Sequence, residues 1–595
     1  MKSRTTHAVF QPSALAVAVA LGCVAPVQAI TFNLGEVEGQ FDSSLSVGAS
    51  WSVRGADPDF VSVASGGEAS SRTSDDGRLN FKKGETFSKI FKGIHDLELK
   101  YGDTGVFVRG KYWYDFETKD EHRLFYDIDD SNRKTAAQSS GAEILDAFLY
   151  HNYSLGDLPG SVRVGKQVVS WGESTFIQNS INSINPVDVA AFRRPGAEIK
   201  EGLIPVNMLY LSQSLTDSVS MEAFYQLEWD QTVIDNCGTF FSTTDVVADG
   251  CEDRMVVAGP DLAPGISNNS GPATGNNFYI PRAGDRDARD SGQYGIAARW
   301  YVPELNDTEF GAYAMSYHSR GPVFSTVRST AANPAALGFV GAAPTARYFF
   351  DYPEDIRLYG LSFQTNVAGT ALSGELSYRP NMPLQINSTD LVFASLGVPI
   401  SPAFLSGHAS NTAGSDIHGY ERKPFTQAQV TAIQFIDRVL GASRLTLIGE
   451  VGYNHIGGIK DDVGELRFGR DAIFGSGEFA SLGPFSCAGL NSANPDECND
   501  KGFFTSSSWG YRLRASADYS NVFAGVNLTP SVAWAHDVDG YGPNFNEGSK
   551  AISIGLSADY QNTYNASLSY TDFFGGDYNT IVDRDFVALS FGVNF

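Results

Sequence analysis

The chain has 595 residues, 68 Asp and Glu against 43 Lys and Arg, and a formal net charge of −25. Such acidity excludes a nucleic-acid partner, which needs basic surface to neutralise phosphates. A mean hydropathy of −0.17 excludes a bundle of membrane helices. It does not exclude a membrane barrel, where half of each strand faces inward.

In chain order, Lys2, Arg4 and His7 precede the apolar run 14–21, and Val27-Gln28-Ala29 supplies small residues before a cut at Ile30. Residues 1–29 are therefore predicted to be a secretory signal peptide, removed with Cys23. Its loss changes −25 to −27, because Lys2 and Arg4 leave and no acid does. No other stretch approaches the roughly 18 consecutive apolar residues that a membrane helix needs. Export without a helical anchor is the expectation.

From Leu45 onward, period-2 runs bounded by turn residues predict about eighteen strands. Val219, Met221, Ala223, Tyr225, Leu227 and Trp229 alternate with Ser218, Ser220, Glu222, Phe224, Gln226 and Glu228. Leu445 to Tyr453, Trp509 to Tyr519, Ile552 to Tyr560 and Tyr564 to Tyr570 alternate in the same way, whereas 142–154 and 204–213 are blurred. Short connections (102–104, 155–159, 215–217, 303–307, 366–369, 439–442, 520–521, 561–562) strictly alternate with long ones. The long ones are 55–93, 118–141, 171–203, 231–292, 320–354, 381–424, 456–507, 537–549 and 573–583. A sandwich or propeller has no reason to place every long loop at one end, whereas an outer-membrane barrel does. Tyr and Trp at predicted strand ends, Trp51, Tyr112, Tyr114, Trp229, Tyr378, Tyr453, Trp509 and Tyr570 among them, suit a lipid boundary.

Four cysteines remain after the cut. Cys237 with Cys251 and Cys487 with Cys498 each lie within one long loop, without zinc-ligand spacing, and are expected to form two local disulfides. The chain closes on an alternating strand, Phe586 to Phe595, with Val587, Leu589, Phe591, Val593 and Phe595 on one face. Phe591 and the terminal Phe595 resemble the signal read by the barrel-assembly machinery. The fold class is therefore all-β: a transmembrane antiparallel barrel of about eighteen strands over 30–595, with long extracellular loops and both termini periplasmic.

Val164-Gly-Lys-Gln-Val-Val-Ser-Trp-Gly-Glu-Ser-Thr-Phe-Ile177, Ile184-Asn-Pro-Val-Asp188, Phe192-Arg-Arg-Pro-Gly196, Gly374-Glu-Leu-Ser-Tyr-Arg-Pro-Asn381 and Ser569-Tyr-Thr-Asp-Phe-Phe-Gly-Gly-Asp577 resemble domain-of-unknown-function family 1302. The resemblance runs from Gly39-Gln-Phe-Asp-Ser43 to the end of the chain. It implies a proteobacterial outer-membrane barrel surrounded by lipid and lipopolysaccharide. It also implies a periplasmic lipid-binding-type protein and an inner-membrane transporter of the resistance-nodulation-division superfamily as partners.

Segment 171–203 is too apolar for a solvated outer loop, carrying Trp171, Phe176, Ile177, Ile181, Ile184 and Phe192 beside Glu173, Arg193 and Arg194. It is expected to fold inward as a constriction bent at Pro186 and Pro195, the alternative being packing on other outer loops. Trp171, Glu173, Phe176, Phe192, Arg193 and Arg194 are the candidate substrate contacts. The predicted lumen face carries Arg109, Lys111, Arg163, Arg299, Arg444, Arg512 and Arg514 against Glu222, Glu228, Glu375 and Glu450. Those charges are read first as solvated or mutually paired, and second as a polarised eyelet in which Arg193 and Arg194 meet a carboxylate or headgroup. Asp127, Asp129, Asp130, the acids of 285–290, Asp537 and Asp539 complete no EF-hand pattern, so no metal and no cofactor is expected.

The function expected is a conduit for small, hydrophobic or amphipathic compounds, handed to the implied partners. The alternative is a surface scaffold or adhesin whose acidic loops bind a partner. A third reading, a hydrolase using Ser316 with His318, His455 or His536, lacks a nucleophile in a recognisable setting, so no enzyme is expected.

Overall fold

The computed structural model describes residues 30–251, 254–258, 278–331, 334, 342–460, 462, 464–480, 486–490 and 494–595. The expected signal peptide, 1–29, lies outside the described residues. Nineteen strands form one antiparallel sheet. They are β1 (Ile30–Leu34), β2 (Val37–Ser52), β3 (Thr86–Tyr101), β4 (Thr104–Asp115), β5 (Ser140–Leu155), β6 (Leu158–Gln167) and β7 (Val206–Ser214). β8 (Val219–Gln226), β9 (Tyr294–Val302), β10 (Thr308–Tyr317), β11 (Ile356–Val367), β12 (Thr370–Gln385) and β13 (Tyr420–Asp437) follow. β14 (Arg444–Ile456), β15 (Ser507–Phe523), β16 (Val526–Asp539), β17 (Lys550–Tyr560), β18 (Tyr564–Phe574) and β19 (Phe586–Asn594) complete the sheet.

Strands β2 to β19 close into a barrel of eighteen, because β19 pairs with β2 from Phe586↔Ser52 to Asn594↔Ser44. Closure removes both sheet edges, which a span through hydrocarbon requires. Below the end of β19 the same edge of β2 is taken by β1, from Ile30↔Phe41 to Leu34↔Val37. The terminal Phe595 exchanges backbone hydrogen bonds with Ser43, so the C-terminus sits at the seam.

Short hairpins and long loops alternate as predicted. The turn expected at 520–521 falls instead at Ala524-Gly525, because β15 bulges after Tyr519 and runs on to Phe523. Both turn residues have positive φ, 49° and 87°, the geometry that matches the twist of a two-residue hairpin. Both disulfides, Cys237–Cys251 and Cys487–Cys498, are formed in long loops.

Outward side chains form a band. Leu209, Ile296, Leu361, Leu376, Val451 and Ile554 are all exposed there. Toward the long-loop end lie exposed aromatic pairs in register, Tyr225↔Tyr294, Tyr359↔Tyr378 and Tyr453↔Trp509. Trp300↔Phe310 lies toward the other end. Aliphatic residues between two aromatic girdles are the outer surface of a membrane barrel. Trp229 is not part of a girdle. It lies past the end of β8, gives its ring N–H to the Ser319 carbonyl at 3.0 Å and packs on Tyr352 among the long loops.

The inward face is not uniformly polar. Met208, Tyr210, Phe224, Tyr313, Met315 and Leu358 point into the barrel and are buried with Trp171, Ile181 and Ile184 in one apolar cluster. A second core therefore lies inside the cylinder, between its wall and a loop. This explains the blurred alternation of 204–213, where both faces are apolar. In 142–154 the cause is a bulge between Ile144 and Ala147 that resets the register opposite β4.

Candidate functional site

The loop between β6 and β7, residues 168–205, enters the lumen. It is slightly longer than the expected 171–203 and is held in two halves by opposite chemistry.

The first half lies against β8 to β14 and presents backbone N–H groups to glutamates of the wall. Glu450, 2% exposed, accepts from three successive amides, Thr175 (3.0 Å), Phe176 (2.7 Å) and Ile177 (3.0 Å). Successive N–H groups in a turn form a nest for an anion, here a side chain of β14. Glu375 of β12 accepts from the Glu173 amide at 2.7 Å and from Gln429 at 3.1 Å. Glu222 of β8 accepts the Trp171 indole N–H at 2.7 Å. Gly172, with φ +92°, lies so close that a Cβ there would meet the Glu375 carboxylate and Ile181. The position therefore needs glycine for both conformation and space.

The family-like run 374–381 explains itself here. Glu375, Ser377 and Arg379 all face inward and all hold the loop. Ser377 binds the Ser180 hydroxyl at 3.2 Å, and buried Arg379 donates to the Ser180 carbonyl (2.7 Å) and the Ser183 hydroxyl (2.9 Å). The two motifs resembling the family are the two sides of one interface.

The second half lies against β2, β3, β4 and β19, and there the wall is basic. Lys92, facing inward from β3 and 4% exposed, donates to Glu201 at 2.6 Å and to the Gly196 carbonyl at 2.7 Å. Lys111 of β4 pairs with buried Asp188 at 2.9 Å and reaches Glu143 at 3.5 Å. Asp188 also caps the helix Val189–Arg193 through the Ala191 amide. Pro195 closes over Gly48 of β2.

Both expected eyelet arginines are half-exposed and engaged by protein partners. Arg193 pairs with Asp235 and donates to the Phe241 carbonyl at 3.1 Å, lying over the Phe241 ring. Arg194 donates to the Ala136 carbonyl at 2.9 Å and stacks on Trp113. Burial pushes the Asp235 carboxyl up, and Arg193 opposes that shift. Phe192 is 40% exposed with its ring over Gly202. Phe176 is half-buried.

Most of the predicted lumen cations are paired with acids, although only Arg299 and Glu222 pair with each other among the predicted charges. Arg109 bridges Asp96 (2.7 Å) and Asp146 (3.3 Å), Arg299 bridges Glu222 and Glu309 (both 3.1 Å), and Arg512 meets Asp537 (2.7 Å). Arg163 lies over the Tyr210 ring at 4.1 Å. Arg444 sits at the short-turn rim with Asp437. Glu228 is a correction: it lies beyond β8 and accepts from the exposed side chain of Asn207, whose neighbours Val206 and Met208 point inward. Arg514 is the exception among these charges. It is exposed, faces inward from β15 and makes no ion pair among the described residues. Among the acids weighed for calcium, Asp127 is paired with His122, Asp130 with Lys119 and Asp537 with Arg512.

Lys92, Asp188, Glu201 and Arg379 were not singled out from sequence. Lys92 sits among inward-facing Ile90 and Ile94, so its strand face reads as apolar. Arg379 lay within a quoted motif and could have been found there.

The loop makes no hydrogen bond or ion pair with β16, β17 or β18 among the described residues. The inward face of that sector carries Thr529, Ser531, Ala533, Ser553, Gly555 and Ser569, small side chains left half-exposed. The lumen is thus filled along one side by the docked loop and lined by short, mostly hydroxylic side chains along the other.

Fold and site together define a closed barrel with an internal constriction. The family described as "Protein of unknown function (DUF1302)" matches residues 11–595, and the chain belongs to that family. No curated protein matches it. Among solved structures, the outer membrane channel DcaP of Acinetobacter baumannii aligns at 10% identity and TM-score 0.34, covering 96% of this chain and 100% of that one. OccAB1 of the same organism aligns at 10% identity and TM-score 0.40, covering 96% and 98%. OpdK of Pseudomonas aeruginosa, solved with vanillate, aligns at 8% identity and TM-score 0.37, covering 93% and 98%. These superpositions are loose, and the barrel rests on the strand pairing of the chain itself.

Proposed function

We propose that the protein is an outer-membrane channel for small hydrophobic or amphipathic compounds. In this reading it works with a periplasmic lipid-binding-type carrier and an inner-membrane resistance-nodulation-division-type transporter. The observation that carries the reading is the loop docked on one side of a closed barrel, with the half-exposed inward faces of β16 to β18 opposite it. The wall below the loop supports the amphipathic class. Phe107, Phe148, Tyr150 and Tyr210 face inward beside Arg163, offering apolar surface and a cation together.

Single-channel conductance in planar bilayers tests this, using the whole protein and a variant with residues 174–196 replaced by a short Gly-Ser linker. The intact protein is expected to conduct, and the variant to conduct several-fold more. Absence of conductance from both would favour the scaffold reading. That second reading has one observation of its own. The long loops pack into separate apolar cores around Tyr348 and Phe350 and around Leu391 and Phe425, which makes them a structured surface.

A further inference from the structure

A cavity of about 490 Å³ lies at the long-loop end. It is built by residues of loops springing from different parts of the barrel: Ser71 and Thr73 after β2, Val246 and Val256 after β8, Phe324 and Phe350 after β10, Val392 after β12 and Arg470 after β14. Its lining is therefore contributed from around the ring, and the cavity stands over the lumen. The volume falls in the range that accommodates a small organic ligand, roughly 300–1,000 Å³.

Its walls differ in chemistry. One is apolar, with Val246, Met255, Val256, Phe324, Phe350 and Val392, backed by the buried core around Tyr348. The other carries hydroxyls, Ser71, Thr73, Ser388 and Thr389 among them. The charged groups at the lining are already engaged. Arg470 donates to the carbonyls of Lys501, Phe474 and Glu497, each at 2.7 Å. Arg72 donates to the Ser70 carbonyl at 2.9 Å. Asp471 accepts from the Ile473 amide, and burial pushes its carboxyl up toward the neutral form. The cavity thus offers an apolar body site and hydroxyl partners, with both lining arginines, Arg72 and Arg470, held by backbone carbonyls.

We propose that this chamber is a capture site for an uncharged hydrophobic molecule bearing a hydroxyl or carbonyl group. The inference rests on the channel reading, since capture above a sealed barrel would serve no passage.

The protein in nanodiscs of phosphatidylethanolamine and phosphatidylglycerol is photolabelled with a mid-chain diazirine hexadecan-1-ol and, separately, with the matching hexadecanoic acid. Labelled peptides are mapped by mass spectrometry and normalised to lipid-facing peptides of β11 and β17. The alcohol is expected to label 254–258 and 388–393 at least tenfold more than the acid does. Val256→Trp and Val392→Trp, which fill the chamber from two loops, are each expected to cut that labelling about tenfold. Equal labelling by the acid, label confined to lipid-facing strands, or labelling indifferent to both tryptophans would overturn the proposal. A protein that conducts but does not label defeats the chamber and leaves the channel. Labelling without conductance upholds the chamber and defeats the channel.

Discussion

The two halves of loop 168–205 reach the same lumen by opposite means. Residues 170–183 give backbone N–H groups to wall carboxylates, so their anchors can be exchanged one hydrogen bond at a time. Residues 186–203 bring Asp188 and Glu201 to Lys111 and Lys92, with all four side chains buried. A hydrogen bond to a charged group contributes about 1.5–3 kcal/mol, whereas breaking a buried ion pair costs about 3–5 kcal/mol because one charge is left without its partner. The second half is therefore the fixed side of the constriction and the first half the adjustable one.

The sharpest way to break this comparison is Lys111→Met. It leaves Asp188 buried without its cation and should cost the second half about 3–5 kcal/mol of local stability. Hydrogen exchange of 186–203 should accelerate by at least two orders of magnitude and conductance should rise. If exchange stays slow, Asp188 is not held by Lys111. Next is Glu450→Gln, which keeps shape but loses the charge received by three amides, for about 1.5–3 kcal/mol. Exchange of 174–178 should speed up while 186–203 stays protected. Equal acceleration of both segments would show that the loop opens as one unit and would end the distinction between the halves.

A comparable step lies in the outer loops. Replacing Cys237 and Cys251 by Ser opens a closure spanning 14 residues, for roughly 3 kcal/mol on loop-entropy grounds. Because Thr244, Val246 and Val247 line the chamber, photolabelling should fall while conductance persists. Loss of conductance instead would tie that loop to the passage itself.

The smallest expected effect is a pH dependence. Burial raises Glu497 from 4.5 to about 7, opposed by Arg470. The folded loop then holds its proton to higher pH than the unfolded one. The stabilisation is fully present below the unfolded value and is lost as pH rises through about 7. Limited proteolysis within 494–506 should be faster at about pH 8 than at about pH 6, and the reverse order would count against it.

The barrel was legible in the residues because its rule is local. Lipid on one side and water on the other make every strand alternate, and two different ends make short and long connections alternate. The inward loop was legible for a related reason, since Trp171, Ile177, Ile181 and Ile184 are too apolar to remain in solvent. The errors were also informative. Arg193 and Arg194 look identical to free binding groups in a sequence, yet they stack on Phe241 and Trp113, rings far away along the chain. Glu228 kept the alternation of β8 for one step beyond the strand's end.

Sequence by itself determined the closed sheet, an approximate strand count, the cysteine pairs and the presence of an apolar insertion, because each follows from neighbours or from fixed periods along the chain. Only the tertiary structure decided where the insertion docks, which charges cancel, and that Lys92 and Arg379 hold it in place. Those outcomes depend on pairs up to 275 residues apart meeting inside one cylinder, where burial makes an unpaired charge costly and so selects the partners.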